Sequence, residues 1–376
     1  MNELMFLNEN MKSKFLAEKK TRYRLCRKLE YAVVQNGICV PLKQNLKKFK
    51  NNILGGVFDI NFKFCKMSST QRSNPPNFIF NYRDWFDGKI EEKDKKNIVY
   101  KDKEVIFLGA FSNHYGHFML EGMSRLWILL SKKYKDFDLI YISENDVSKY
   151  FEFLELFGVN LSRLTKVTNT TQYRKIIVPE QSIRLHDYYH KDYFRIIDKI
   201  SSKVDKGKIK KVYFTKNHIK NGRAFNERHF EDIFKKNDFK IIDPVKITII
   251  EMISTLKGAD FFVSTSGTSC HNAMFLNKNA KCICLNRSAH FHPPQSWIAE
   301  MKIYNTIYVD AFMFERNETM SSGPYFLTTT KEFLNFGRTF KIKTKNSKLN
   351  ILALFKFFIY LVKRKITDQL LCLFFR

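Results

Sequence analysis

Short apolar segments alternate with amphipathic, helix-length segments from residue 104 onward. The former indicate buried strands, and the latter indicate helices packed against them. Strands separated by helices return through crossovers, so they pair in parallel and form a doubly wound α/β sheet. The predicted strands cover residues 105–108, 139–142, 175–178, 212–215, 239–242, 261–264 and 282–285, and the predicted helices cover 117–130, 147–157, 188–202, 227–236, 249–257 and a segment from about 271.

A lysine-rich break at residues 203–211 divides this alternation into two series. The chain has 376 residues, more than one ordinary core organises. We therefore predict two Rossmann-like domains with a cleft between them, at residues 1–203 and 204–335, and a basic amphipathic tail at 336–376. The first hundred residues lack a sustained period and indicate an irregular, partly β lead-in. Ligands of such sheets bind at the carboxyl ends of the strands.

The charge balance points to an anionic partner without identifying it. Sixty-five Lys and Arg residues oppose 37 Asp and Glu residues, a net charge of +28, which raises the alternative of a non-catalytic protein that binds polyanions or nucleic acid. No nucleic-acid-binding motif accompanies the charge, so no nucleic-acid partner is expected. The seven cysteines form no CxxC pair, and residues 1–30 carry no apolar leader. We expect a reducing, cytoplasmic location.

The densest group of titratable residues follows the strand at 105–108. His117, Glu121 and Arg125 are spaced at i, i+4 and i+8, so on a helix they share one face, with His114 just before it. A histidine and a carboxylate one turn apart suit general-base catalysis, and either can be the base while the other orients it. The alternatives are a helix cap with a surface ion pair, or a metal set of His114, His117 and Glu121; zinc helices more often space two histidines at i, i+4, so no metal is predicted.

Two further loops follow predicted strands. In the first, residues 263–272, a small hydroxyl-rich turn precedes a helix, an arrangement that accepts a phosphate; an ordinary strand-to-helix loop is the alternative. Its candidate binding residues are Ser266, Gly267, Thr268, Ser269 and Asn272. In the second, Lys216 and Arg223 could neutralise a diphosphate and Asn226 could cap the next helix, or the loop is simply solvated and basic.

These motifs, in this order, resemble the family 61 glycosyltransferases, specifically the bacterial branch associated with capsular and other surface polysaccharides. The segments that carry the resemblance are His114-Tyr115-Gly116-His117-Phe118-Met119-Leu120-Glu121, Ser124-Arg125-Leu126-Trp127, Arg223-Ala224-Phe225-Asn226-Glu227 and the turn at 264–272, over roughly residues 100–290. The turn reads Ser266-Gly267-Thr268-Ser269 where the family has HGAG, and Lys216 replaces a usual Arg. Both departures bear on diphosphate binding.

The resemblance implies a GT-B architecture and an inverting transferase that moves a sugar from a nucleotide-sugar donor to a surface glycan. It places the donor on the carboxyl-terminal half, the acceptor side, with His114 and Arg125, on the amino-terminal half, and Glu251 at the ribose. No cofactor or metal is implied, and UDP-linked sugars are among the candidate donors.

The tail has its own pattern. Residues 349–362 are apolar apart from Asn350 and Lys356, and Lys363-Arg364-Lys365 follows. A bilayer span needs about 20 apolar residues, so the pattern favours a helix that lies on an anionic membrane surface, at the inner face of the cytoplasmic membrane. The alternative is a terminal helix docked in the protein's own core.

Overall fold

The structure is a computed structural model, which describes residues 4–21, 23–44, 53–72, 90–185, 187–217, 224–291, 293–302, 305–314, 324–344 and 351–374. The chain divides into two compact units. The first comprises Arg22–Lys203, and the second joins Met1–Thr21 to Val204–Arg376. The first 21 residues therefore pack with the later part of the chain, whereas the sequence pattern grouped them with residues 22–203.

The chain starts with strand β1 (Leu4–Phe6) and helix α1 (Glu9–Thr21), both in the second unit. The strands of the first unit are β2 (Tyr23–Leu25), β3 (Tyr31–Gln35), β4 (Ile38–Gln44), β5 (Ile53–Phe58), β6 (Val99–Ala110), β7 (Asp138–Ile142), β8 (Leu164–Lys166), β9 (Thr171–Pro179), β10 (Ile183–Arg184) and β11 (Tyr188–His190). Its α-helices are α2 (Glu92–Lys96), α3 (Tyr115–His117), α4 (Phe151–Phe157) and α5 (Lys191–Ser202).

The main sheet of the first unit is mixed, with strand order β5-β4-β9-β6-β7-β8 and β3 also paired to β9. Strands β9, β6, β7 and β8 are parallel, as the helical crossovers predict. Strands β3, β4 and β5 are antiparallel to their neighbours. The doubly wound pattern therefore covers only part of this sheet, and the lead-in, predicted to be partly β, adds the antiparallel strands. Strands β4 and β5 form a hairpin-like pair, while β3 and β4 both pair with the distant β9. A small sheet, β10-β11-β2, lies beside it.

The second unit contains a six-stranded sheet in which every neighbouring pair is parallel. Its order is β1-β17-β16-β15-β12-β14. The later strands are β12 (Lys211–Phe214), β13 (Ala224–Phe225), β14 (Lys240–Ile242), β15 (Phe261–Thr265), β16 (Lys281–Asn286), β17 (Asn305–Asp310) and β18 (Tyr325–Phe326), and the helices are α6 (Glu227–Lys235), α7 (Ile249–Gly258), α8 (Pro293–Lys302), α9 (Lys331–Thr339) and α10 (Ile351–Phe374). From β12 the chain moves first to β14 on one side and then to β15 on the other. The β12–β15 boundary is thus the topological switch point, where open α/β sheets bind ligands.

The core of the second unit is rich in aromatic side chains. Phe230, Phe234 and Phe333 pack in edge-on contacts between the sheet and helices α6 and α9. Strand β1 pairs with β17 through Leu4–Phe6, and Phe15 of α1 packs against Phe291 and Tyr308. These contacts explain why the first residues join this unit. Within the described residues, no helix is both long and apolar enough to cross a bilayer.

Candidate functional site

His117 and Glu121 lie on one continuous helical segment that changes its winding along its length. Helix α3 ends at His117, a π-helical turn covers Phe118–Gly122, and a 3-10 helix covers Met123–Leu130. Phe118, Met119 and Leu120 are buried and fix the segment against the sheet. Single π turns inside helices are frequent at functional sites. Here the turn contains the glutamate.

Glu121 is buried, with 4% of its surface exposed, and it joins two other side chains. Its Oε2 lies 2.7 Å from Nδ1 of His117. Arg72 donates from Nε to Oε1 and from Nη2 to Oε2, both at 2.6 Å. The same guanidinium group lies 3.1 Å from His117 Nδ1. Arg72, Glu121 and His117 therefore form one connected group in the first unit.

The charge of this group follows from its contacts. Burial alone would raise the pKa of Glu121, but the Arg72 guanidinium and the hydrogen bonds from His117 and Arg72 outweigh it and lower that pKa to about 2. An ionised carboxylate only accepts hydrogen bonds, so Nδ1 of His117 is the donor in the 2.7 Å contact; Nη2 of Arg72, which also only donates, hydrogen-bonds to Glu121 and packs against this nitrogen without bonding to it. In neutral imidazole the basic lone pair is then on Nε2. The geometry makes His117 the candidate base and Glu121 its orienter, the alternative that the sequence left open.

Arg125, predicted on the acceptor side, is bound to backbone carbonyls inside the first unit. It is buried and donates to the backbone carbonyls of Met67, Ser69 and Pro179 at 2.7–2.9 Å. Gly109, at φ +99°, lies against this guanidinium group. A Cβ at position 109 would be only 2.6 Å from Nη1 of Arg125, so a larger residue would clash there. Arg125 thus fixes the loop that carries Arg72. The acceptor-side role of Arg125 stays a prediction.

His114 is exposed and precedes helix α3. Its ring centroid lies 4.8 Å from that of His117, so it could contact a ligand that reaches His117. Among the described residues, no group of three or more His, Cys, Asp or Glu side chains is arranged to hold a metal ion.

A second set of polar residues lies in the second unit, at the carboxyl ends of its parallel strands. Lys216 follows β12, Ser266 and Gly267 follow β15, and Arg287 follows β16. Lys216 and Ser266 therefore flank the topological switch point. This edge of the sheet carries two cations and a hydroxyl-rich turn.

Lys216 is a buried cation beside another cation, with 6% of its surface exposed. Burial lowers the pKa of its ammonium group, and the nearby Arg287 lowers it further. Burial raises the pKa of Glu227, whose Oε1 accepts from the Lys216 backbone N–H at 3.1 Å and from the Tyr213 hydroxyl at 3.2 Å. In the described part of the chain, no hydrogen bond or ion pair involves Nζ of Lys216. The nearby Glu227 offsets part of the burial effect on Lys216, and an anionic ligand would balance the combined charge of Lys216 and Arg287.

The turn after β15 places a glycine directly before a helix. Gly267 has φ +104°, a conformation that favours glycine, and precedes a 3-10 helix at Thr268–Phe275. Ser266 donates its N–H to the Leu285 carbonyl at 2.8 Å, which holds the turn against β16. The first N–H groups of a helix have no partner within the helix, so those of Thr268 and Ser269 can donate to an anion. Ser266, Ser269 and Asn272 are buried in this turn.

Two predicted binding residues, Asn226 and Glu251, make contacts within the protein. Asn226 is at the N-terminus of α6 with φ +66°, but its side chain does not cap the helix; Nδ2 donates to the Leu327 carbonyl at 2.9 Å. The left-handed backbone turns its side chain away, so the capping prediction is wrong. Glu251 forms a capping box with Thr248, where its Oε2 accepts from the Thr248 N–H at 2.8 Å. Arg223 lies outside the described residues.

Comparison with known families assigns the central part of the chain. Residues 115–283 match the family described as Glycosyltransferase 61. This segment is similar to glycosyltransferase family 61. The family implies a glycosyltransferase that uses a nucleotide-sugar donor and a glycan acceptor. A search of curated proteins found no match to the chain.

The family 61 segment contains His117, Glu121, Lys216 and the turn after β15, while Arg72 and Arg287 lie outside it. The sequence interpretation missed both. Arg72 lies in a polar stretch without periodicity, so no sequence signal connected it to Glu121. Arg287 could have been found from the sequence, because it lies just after a predicted strand. The other two loops were selected by the same criterion.

Proposed function

We propose that the chain is an inverting glycosyltransferase that moves a sugar from a nucleotide-sugar donor to a growing surface glycan. The observation that carries the proposal is the group of Arg72, Glu121 and His117, because it holds one histidine with its basic nitrogen defined by a buried, ionised partner. Such a histidine suits the removal of a proton from a sugar hydroxyl.

In the proposed reaction, Nε2 of His117 takes the proton of an acceptor hydroxyl as its oxygen bonds to the anomeric carbon of the donor sugar. The bond from that carbon to the diphosphate oxygen breaks, and the nucleoside diphosphate leaves with the electron pair. Attack opposite the leaving group inverts the anomeric configuration. Glu121 stabilises the imidazolium ion that forms, and Arg72 keeps Glu121 ionised and in place.

The donor diphosphate is proposed to bind at the switch point of the second unit. Lys216 and Arg287 would oppose its charge, and the turn at Ser266–Ser269 would donate backbone N–H groups. These groups supply the positive charge that a metal would otherwise provide, which supports a metal-independent reaction. Arg223, Asn272 and the ribose contact of Glu251 stay predictions, as do a UDP-linked donor and the GT-B arrangement.

The family resemblance supports a finer proposal about the setting. We place the enzyme in the cytoplasm, peripheral to the inner face of the cytoplasmic membrane of a bacterium, where a lipid-linked or nascent capsular or lipopolysaccharide-type glycan is extended.

The test is a panel of nucleotide sugars incubated with the full-length protein. We expect slow release of nucleoside diphosphate from one nucleotide class, accelerated by a glycan acceptor. Release from no member of the panel, together with tight DNA or RNA binding that weakens steeply with salt, would instead favour the polyanion-binding alternative.

A further inference from the structure

The tail helix α10 has two faces of different character. Phe357 is buried and packs against Phe225, Phe314 and Phe326, with ring centroids 5.3–5.5 Å apart. Tyr360 also contacts Phe225, at 5.7 Å. Because Phe225 lies in β13 and Phe326 in β18, α10 is attached to a small sheet of the second unit. The helix is therefore docked along one side.

The other side of α10 carries six exposed apolar residues whose exposed fractions range from 39% to 76%. They are Ile351, Leu352, Phe355, Phe358, Ile359 and Val362. At 3.6 residues per turn this spacing forms one stripe roughly 120° wide and about 18 Å long, nearly opposite Phe357. We call these six residues the apolar stripe.

Two exposed lysines lie along one flank of the apolar stripe. Lys356 and Lys363 are separated by two turns, so they project from the same side of the helix. Within its described residues, α10 has no stretch that is both long and apolar enough to span a bilayer. An apolar face with flanking lysines on such a helix is the pattern of a helix that lies in the headgroup region. The chain's net charge of +28 favours anionic lipids further.

We propose that the apolar stripe of α10 binds the surface of an anionic lipid bilayer while Phe357 holds the helix on the second unit. The stripe enters the boundary between headgroups and acyl chains, and Lys356 and Lys363 contact lipid phosphates. This proposal concerns binding alone and does not depend on the reaction proposed above. It also connects the two interpretations of the tail, because one face docks on the protein and the other faces lipid.

The test is co-sedimentation of the full-length protein with phosphatidylcholine vesicles that contain or lack about one-third phosphatidylglycerol. We expect binding to the anionic vesicles that weakens with salt. The double variant Leu352→Ser, Phe355→Ser should bind at least about tenfold more weakly with an unchanged melting temperature, since each side chain loses the burial of a large apolar group. Lys356→Gln and Lys363→Gln should each cost about fivefold.

Two variants serve as controls. Val245→Ser combined with Ile250→Ser removes two exposed apolar side chains elsewhere in the same unit and should leave vesicle binding unchanged. Phe357→Ala should lower the melting temperature, because it removes the docking residue. The proposal is overturned if the wild type does not bind anionic vesicles at low salt, or if the stripe variant binds them as well as the wild type. It is also overturned if the wild type self-associates without binding lipid and the stripe variant does not self-associate, because the apolar stripe would then contact a second copy of the chain.

Discussion

At the residue scale, a buried carboxylate sets which ring nitrogen of His117, the proposed base, carries the proton. Glu121 has its charge fixed by Arg72, so it can hold the proton on Nδ1 of His117 but is a poor base itself. The sequence predicted the pair His117 and Glu121, since their spacing is local. It could not predict Arg72, which is 49 residues from Glu121 and reaches it only through tertiary folding.

We expect His117→Ala to reduce turnover by about 10²–10⁴-fold, the usual contribution of a general base, with little change in nucleoside diphosphate affinity. Arg72→Lys should lower turnover less than Arg72→Ala does, because lysine keeps the charge but loses the bidentate contact. Steady-state rates across pH, with calorimetry for affinity, measure both effects. Wild-type turnover in His117→Ala would remove this histidine from the mechanism.

The charge of Glu121 also affects stability. Its pKa is about 2 in the folded protein and near 4.5 when unfolded, so ionised Glu121 stabilises the fold above pH 4.5, and this contribution is lost as the pH falls toward 2. The shift corresponds to about 3 kcal/mol. Glu121→Gln should therefore lower the free energy of unfolding at pH 7 and flatten its acid dependence, measured by denaturant titration. Glu155→Gln, an exposed glutamate on α4, should do neither; equal acid profiles of wild type and Glu121→Gln would contradict the assignment.

Lys216 is predicted to stabilise the complex with an anionic ligand and to lower the stability of the unliganded protein. Its pKa is lowered in the fold, so its charged form opposes folding at neutral pH, and the opposition fades as the pH rises toward the unfolded pKa. Lys216→Met should raise the melting temperature of the unliganded protein and weaken nucleoside diphosphate binding by about 1.5–3 kcal/mol. Lys206→Met, an exposed control, should change neither. A Lys216→Met protein with wild-type affinity would place the diphosphate elsewhere.

At the element scale, the alternation of strands and helices was predictable because each element buries a local periodic face. The strand predicted at 261–264 is observed at Phe261–Thr265, and the helix predicted at 249–257 at Ile249–Gly258. Two features were not predictable. Strand β1 pairs with β17 about 300 residues away, and β3 and β4 both pair with β9. Neither choice of partner is encoded in local periodicity.

The attachment of α1 to the second unit has a direct test. Phe15 is fully buried between Phe291 and Tyr308, whereas its neighbour Leu16 is exposed. Phe15→Ala should cost about 3–5 kcal/mol and Leu16→Ala less than about 0.5 kcal/mol, by chemical denaturation. Equal effects of the two substitutions would show that α1 does not pack in this way.

At the whole-molecule scale, the two units have different proposed roles. The first unit holds the proposed base, and the second holds the proposed diphosphate site at the switch point of its parallel sheet. The sequence predicted both locations, since both follow strands. It did not predict that Arg287 lies near Lys216, because that proximity depends on the order of strands in the sheet. The tail adds a surface that is independent of both.

The most direct measurement is transfer of a labelled sugar from its nucleotide donor to a glycan acceptor, followed in parallel for wild type, His117→Ala and Lys216→Met. The proposed reaction predicts that the wild type transfers the sugar with inverted anomeric configuration. His117→Ala should lose most of its transfer activity and keep donor binding, while Lys216→Met should bind the donor about 1.5–3 kcal/mol more weakly. Retained configuration in the product, or equal transfer by all three proteins, would contradict it.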